Sequence, residues 1–345
     1  MSWFNLDFGD FAKSFLSVLF EGVPFLLLGS IISGFVDVHV SSERLTKMLP
    51  KSPAAAIFVA GLLGMIFPIC ECGSVIVIRR FLKKGLPLSI ATTYMLAAPI
   101  VSPIVAGSTW IAFKGQQPEV MMFSRLGFGF LIAVAIGLVV HNLPASRIAA
   151  NTSGGETKRR TGLSIAPAPD ETVTQDFAGA VAQASPMRKL LLSVQSATAD
   201  FLDVAFYFVV GVAITSVFSV GIKREALAPL AESPTGSVLV LMVVAALLAL
   251  CSTTDAFVAA TQFTQFSPAA KLAFLLFGPV FDLKLFWLYG LVFRRKFVIA
   301  LALALFVIIA VISILWGSMD FIEKPPKAPA KTTGSIVCNQ PAFVV

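Results

Sequence analysis

Two thiols flank a carboxylate in Pro68-Ile69-Cys70-Glu71-Cys72-Gly73, and this polar run sits inside an otherwise apolar stretch. A second apolar stretch is broken by Cys251-Ser252-Thr253-Thr254-Asp255. Thiolates take soft cations such as Cu(I) or Zn(II), and by the same softness trivalent arsenic, while a carboxylate suits harder ions or protons. The plainer alternative is that each cysteine packs as a small apolar side chain. Cys-x-Cys supplies two ligands at most and the chain has only two histidines, His39 and His141, so no metal is assigned. The hydroxyls of Ser252, Thr253 and Thr254 can satisfy backbone groups freed by a kink, or simply bond back to their own helix and bend it. Asp255 is harder to explain as packing, because a buried carboxylate has to be paired, protonated or wetted.

The two runs share a frame. Each cysteine (Cys70, Cys251) lies 17 positions after a proline (Pro53, Pro234) and 17 before another (Pro87, Pro268). A further proline break follows 29 positions past Cys70, at Pro99, and 28 past Cys251, at Pro279. Upstream, Phe15–Gly29 aligns loosely with Thr198–Gly211, setting Glu21 opposite Asp203 and Gly29 opposite Gly211. The chain therefore reads as two homologous repeats. An ionisable group within the membrane costs about 2.5–3.5 kcal/mol on insertion scales, which marks Glu21, Glu71, Asp203, Asp255 and Asp282 as functional candidates. Proline inside a helix removes one hydrogen bond and clashes with the preceding turn. Paired interruptions of this kind, here around Pro99 and Pro279, point to a transport site near the midplane. Asp282 and Lys284 are two apart, so on a helix they would not face one another.

Hydrophobic residues make up 57% of the 345 and charged residues 13%, about half the share of a soluble chain. Mean hydropathy is +0.87. This predicts an all-α polytopic membrane protein, embedded in a lipid bilayer, with about four transmembrane helices per repeat and Pro/Gly-broken helices at the core. On a ruler of roughly 20 apolar residues per crossing, segments are expected near 11–36, 54–78, 86–113, 120–141, 195–221, 236–259, 268–291 and 297–317. Segments 54–78 and 86–113 are each either one kinked helix or two half-helices. The expected organisation is a first repeat over 1–147, a flexible linker over 148–190, a second repeat over 191–322 and a disordered tail over 323–345. The linker carries Lys158-Arg159-Arg160, and the tail carries Cys338. The net charge of +7 is scattered through short loops rather than forming a basic face, so nucleic acid is not an expected partner. Positive charge at Arg79–Lys84, in the linker and in the tail sets these on the cytoplasmic side in an eight-crossing topology. Arg294-Arg295-Lys296 conflicts with that topology and hints at an inverted second half. The residues before the first apolar run lack a basic cleavable leader, so that run is expected to be retained. No phosphate loop, Ser/His/Asp set or His-Glu-x-x-His pattern occurs, so an enzyme is not expected and no cofactor is implied.

The run PICECGSVIVIRRFLKKGLPLSIATTYMLAAPIVSP, with LCSTTDAFVAA and LAFLLFGPVFDLKL, resembles the YraQ-type predicted permeases, a family that includes the ArsP organoarsenical exporters. The likeness is greatest to the branch with Cys-x-Cys-Gly, described as one subunit of a two-component membrane permease. It covers roughly residues 15–141 and 195–317. The resemblance implies a bacterial inner-membrane permease and a possible second membrane subunit, with Cys70, Cys72 and Cys251 as thiol ligands for a thiophilic solute, such as a trivalent organoarsenical or a soft metal species. Substrate contacts are expected at Cys70, Glu71, Cys72, Pro99, Cys251, Thr254, Asp255, Pro279 and Asp282, and coupling-ion sites at Glu21 and Asp203. The alternatives are a membrane thiol or metal relay, and a non-transporting subunit of a permease complex.

Overall fold

The computed structural model describes residues 8–39, 50, 52–66, 69–144, 148, 186–221 and 233–318. Pro68, Lys158-Arg159-Arg160, Cys338 and most of the expected linker and tail lie outside the described residues. Among those described are twelve helices and no strand. They are α1 Phe8–His39, α2 Pro53–Ile66, α3 Glu71–Lys83, α4 Leu88–Ala97, α5 Pro103–Ala112 and α6 Pro118–His141, followed by α7 Pro186–Gly221, α8 Pro234–Leu248, α9 Thr254–Thr261, α10 Pro268–Phe277, α11 Leu283–Tyr289 and α12 Arg295–Gly317.

Four helices, α1, α6, α7 and α12, are long and apolar enough to cross a membrane. The other eight have at most 15 residues, or about 22 Å of helix, short of a hydrocarbon core of about 30 Å. The segments expected at 54–78, 86–113, 236–259 and 268–291 are therefore each split into two half-helices: α2/α3, α4/α5, α8/α9 and α10/α11. Helix α7 begins at Pro186, inside the stretch expected to be linker.

The sequence sets these ends locally. Ser52, Ser233 and Ser267 each precede a proline and accept a hydrogen bond from the first turn, from Ala55 N at 3.3 Å, Gly236 N at 3.1 Å and Ala270 N at 3.2 Å. Proline fits the first turn because the N–H it lacks would have no partner there. After α4, Pro99 ends the helix, and the amides of Ile100 and Val101 fold back onto the Ala97 carbonyl at 3.0 and 2.7 Å. After α10, Val280 and Phe281 do the same onto Phe277 at 3.2 and 2.9 Å. The Tyr289 hydroxyl closes that second turn by donating to the Val280 carbonyl at 3.0 Å. Helix α8 ends at Ala249, a non-glycine residue in left-handed backbone (φ 45°, ψ 46°), a conformation that costs an L-residue roughly 1–2 kcal/mol.

The two short helices α4 and α10 form the buried centre, with nearly every residue from Ser89 to Ala97 and from Ala269 to Phe277 enclosed. Helix α4 packs on α2, α3 and α6, and α10 packs on α8, α9, α12 and α6. The long helices lie outside and turn Phe20, Ile31, Phe123, Leu131, Phe206 and Leu303 outward. Apolar side chains spread over so large an outer surface suit lipid rather than water. Helices α1 and α7 pack along one another; α1 also packs on α3, and α7 on α11. At both of the latter contacts backbone meets backbone. A Cβ on Gly29 would lie 2.9 Å from Gly73 Cα, and one on Gly211 would lie 3.0 Å from Lys284 Cα.

Candidate functional site

The breaks bring charged residues from distant parts of the chain together in the interior. Glu71 opens α3, next to its N-cap Cys70, whose Sγ accepts from Gly73 N at 3.4 Å. Across from it, Lys284 Nζ lies 3.1 Å from Glu71 Oε1 and 3.4 Å from Asp282 Oδ2, and it donates to the Ala249 carbonyl at 2.9 Å. The left-handed turn at Ala249 thus ends at the lysine. Asp282 caps α11, its Oδ1 accepting from Leu285 N at 2.6 Å. Its backbone is extended (φ −140°, ψ 176°), so the helical spacing rule that set it apart from Lys284 does not apply, and the two are an ion pair. Glu71, Asp282 and Lys284 are all buried.

A second centre joins α6 to α9. Arg125 is fully enclosed and grips both oxygens of Asp255 at 3.0 and 2.9 Å. It also donates to the Ser252 carbonyl at 2.8 Å and to Thr109 Oγ1 on α5 at 2.9 Å. The guanidinium therefore holds the Cys251–Asp255 turn against the first half of the chain. A single nitrogen, Nη2, meets both carboxylate oxygens, Nη1 takes Thr109, and the buried Nε has no acceptor.

Between the two centres lie the partly exposed groups. The Thr254 hydroxyl donates to Glu21 Oε1 at 2.6 Å, linking α9 to α1, and the Thr253 hydroxyl lies 3.7 Å from Cys251 Sγ. Cys70 and Cys251 are both partly exposed free thiols within electrostatic reach of each other, whereas Cys72 is buried. Cys251 also lies within reach of Glu71, Lys284 and Glu21. The structure thus brings together Glu21, Cys70, Glu71, Cys72, Cys251, Thr254, Asp255 and Asp282. Pro99 and Pro279 are buried turn residues that separate the half-helices. Asp203 stands apart: its side chain is 53% exposed and pairs with Arg79 at 3.3 Å. The enclosed acid on that helix is Asp200, which accepts from Arg80 Nη2 at 2.8 Å and from the Ser33 hydroxyl at 2.6 Å. Among the described residues no three His, Cys, Asp or Glu side chains are grouped to hold a metal ion.

Sequence reasoning missed Arg125, Asp200 and the pairing role of Lys284. For Arg125 a signal was present: a lone cation in the apolar run Met121-Met122-Phe123-Ser124-Arg125-Leu126 carries the same insertion cost that singled out the acids.

Apolar outer helices, paired half-helices and a buried charged centre joining distant segments define a polytopic helical membrane protein with a charged interior. The chain belongs to the ArsP_1 family of predicted permeases, which matches residues 7–318. It is 31% identical over 302 residues to the UPF0718 protein YcgR of Bacillus subtilis (strain 168), covering 87% of this chain and 95% of that one. It is 28% identical over 306 residues to a putative two-component membrane permease complex subunit of Streptococcus mutans serotype c (strain ATCC 700610 / UA159), covering 89% and 94%. No solved structure matches it. The chain is a multi-pass permease-family protein of the bacterial cell membrane.

Proposed function

We propose that this chain moves a small solute or ion along the seam between residues 8–144 and 186–318, and that it is a transporter rather than an enzyme. The observation that carries this reading is the pair of buried ion-pair centres, Glu71–Lys284–Asp282 and Arg125–Asp255, each spanning that seam at a helix break. Buried ion pairs add little net stability, so their position at paired breaks is better explained by passage of a polar cargo. Cys70, Glu71, Cys72, Cys251, Thr254, Asp255 and Asp282 are the proposed substrate contacts. Pro99 and Pro279 keep the half-helices apart, and Glu21 and Asp203 are the coupling-ion candidates. The thiols favour a thiophilic cargo, such as a trivalent organoarsenical or a soft metal species. The helix order long, four short, long occurs twice in succession and supports two homologous repeats. The Streptococcus relative's description supports a second membrane subunit.

The test is flux. Proteoliposomes holding the chain, with and without a co-purified membrane partner, are assayed for movement of phenylarsenous acid, Zn(II) and Cu(I) under imposed proton and sodium gradients. Movement lost in Cys70→Ser/Cys251→Ser supports the reading, and no movement of any solute under any gradient sinks it. Three free thiols at the site also favour a second reading, a thiol relay without flux. That reading requires a reproducible thiol redox titration in protein that transports nothing.

A further inference from the structure

The charges gathered at this site do not cancel, and we propose that their imbalance selects a cation as cargo over an oxyanion. The inference rests on the permease reading for where the cargo goes, and on the side chains themselves for its sign. Arg125 offsets Asp255. Lys284 stands between two carboxylates, Glu71 and Asp282, and offsets one of them. Glu21 adds another negative charge: it accepts from the Thr254 hydroxyl, and none of the ion pairs among the described residues includes it. Four carboxylates therefore face two cations.

A second observation points the same way. Two buried carboxylate oxygens at this centre, Glu71 Oε2 and Asp282 Oδ2, have no hydrogen-bond donor. The lysine is near enough to Asp282 Oδ2 to attract it, at 3.4 Å, but is not aligned to donate. A buried acceptor oxygen without a donor favours an approaching cation and repels an anion. The partly exposed groups, Glu21, Cys70, Cys251, Thr253 and Thr254, present a carboxylate, thiols and hydroxyls, while both cations are buried and ion-paired, with Arg125 Nε the one donor of theirs that lacks an acceptor. Of the helix N-termini at the site, that of α3 is capped by Cys70 Sγ at Gly73 N and that of α11 by Asp282 Oδ1, while that of α9 has no side-chain cap but carries Asp255 in its first turn. No ready chelate stands among the described residues, as suits a cargo that has to leave again.

The test is ligand-dependent thermal unfolding of the purified full-length chain at constant ionic strength. The probes are Na⁺, Zn(II) and Cd(II) as cations, phosphate and arsenate as anions, and phenylarsenous acid as a neutral hydroxide. At least one cation is expected to raise the melting temperature saturably. Glu21→Gln should weaken its apparent affinity at least about tenfold, Glu21→Asp should retain it, and Lys284→Gln, where it folds, should strengthen it. Saturable stabilisation by the anions or phenylarsenous acid alone overturns the inference, as does a cation response unchanged in Glu21→Gln, or no response to any probe. The two readings separate cleanly. Flux of a neutral solute without cation binding defeats this inference alone, and cation binding without flux defeats the permease reading alone.

Discussion

Arg125 is the residue whose loss should be felt most. Everything it grips (Asp255, the Ser252 carbonyl and Thr109) is buried with it. Removing one partner of a buried pair strands the other, at about 3–5 kcal/mol. Arg125→Met should therefore lower stability by that order in a denaturation assay in detergent. Arg125→Met/Asp255→Leu should recover most of the loss, because no charge is then left alone. If the double variant is as unstable as the single one, Arg125 acts through packing instead. The carboxylates and thiols were legible in the sequence because each is a polar intrusion in an apolar run, near a proline or glycine at Glu21, Cys70, Glu71, Cys72 and Asp282 though not at Cys251 or Asp255. Two pairings were not legible. Asp282 sits outside α11 as its cap, so a rule for helical neighbours misjudged its distance to Lys284. On α7 the alignment with Glu21 selected Asp203, whereas burial and the Arg80 and Ser33 contacts fall on Asp200, three residues earlier. A linear alignment carries no information about which face of a helix meets its neighbour.

At the scale of the elements, the half-helices were only partly foreseeable. Proline at 99 and 279 forces a break, but whether the chain kinks or starts a new helix depends on how the freed amides are satisfied. Here they fold back onto Ala97 and Phe277. The left-handed turn at Ala249 had no sequence signal, since alanine favours helix. The aligned glycines Gly29 and Gly211 gain a physical meaning, because each admits a long helix against the backbone of a site-bearing half-helix. Overpacking such a contact costs about 1–3 kcal/mol. Gly211→Leu should lower the melting temperature, push α11 from α7 and disturb the Lys284–Glu71 pair. The readout is faster maleimide labelling of Cys70 and Cys251 than in wild type. Unchanged labelling rates would mean the helices have slack to absorb the side chain.

At the scale of the whole molecule, each half buries charges that pair across to the other half, although Lys284 also pairs with Asp282 of its own half. Residues 8–144 hold Glu71 and Arg125, and residues 186–318 hold Lys284 and Asp255. A chain divided within 151–180 should therefore yield halves that accumulate and co-purify when expressed together, and that fail to accumulate alone. Stable accumulation of either half alone would show that the seam charges are tolerated without partners, through protonation or water. The direction of the helix groups relative to the membrane, by contrast, depends on loop charges whose signals conflict at Arg294–Lys296.

The glycine contacts have a mechanical consequence. Gly29 rests on the backbone of α3 and Gly211 on that of α11, and these two half-helices carry Glu71 and Lys284, the two ends of one ion pair. The α1–α7 pair therefore seats directly on the backbone of both half-helices, and the slack between a tilt of the long helices and the ion pair lies in the Glu71 and Lys284 side chains themselves.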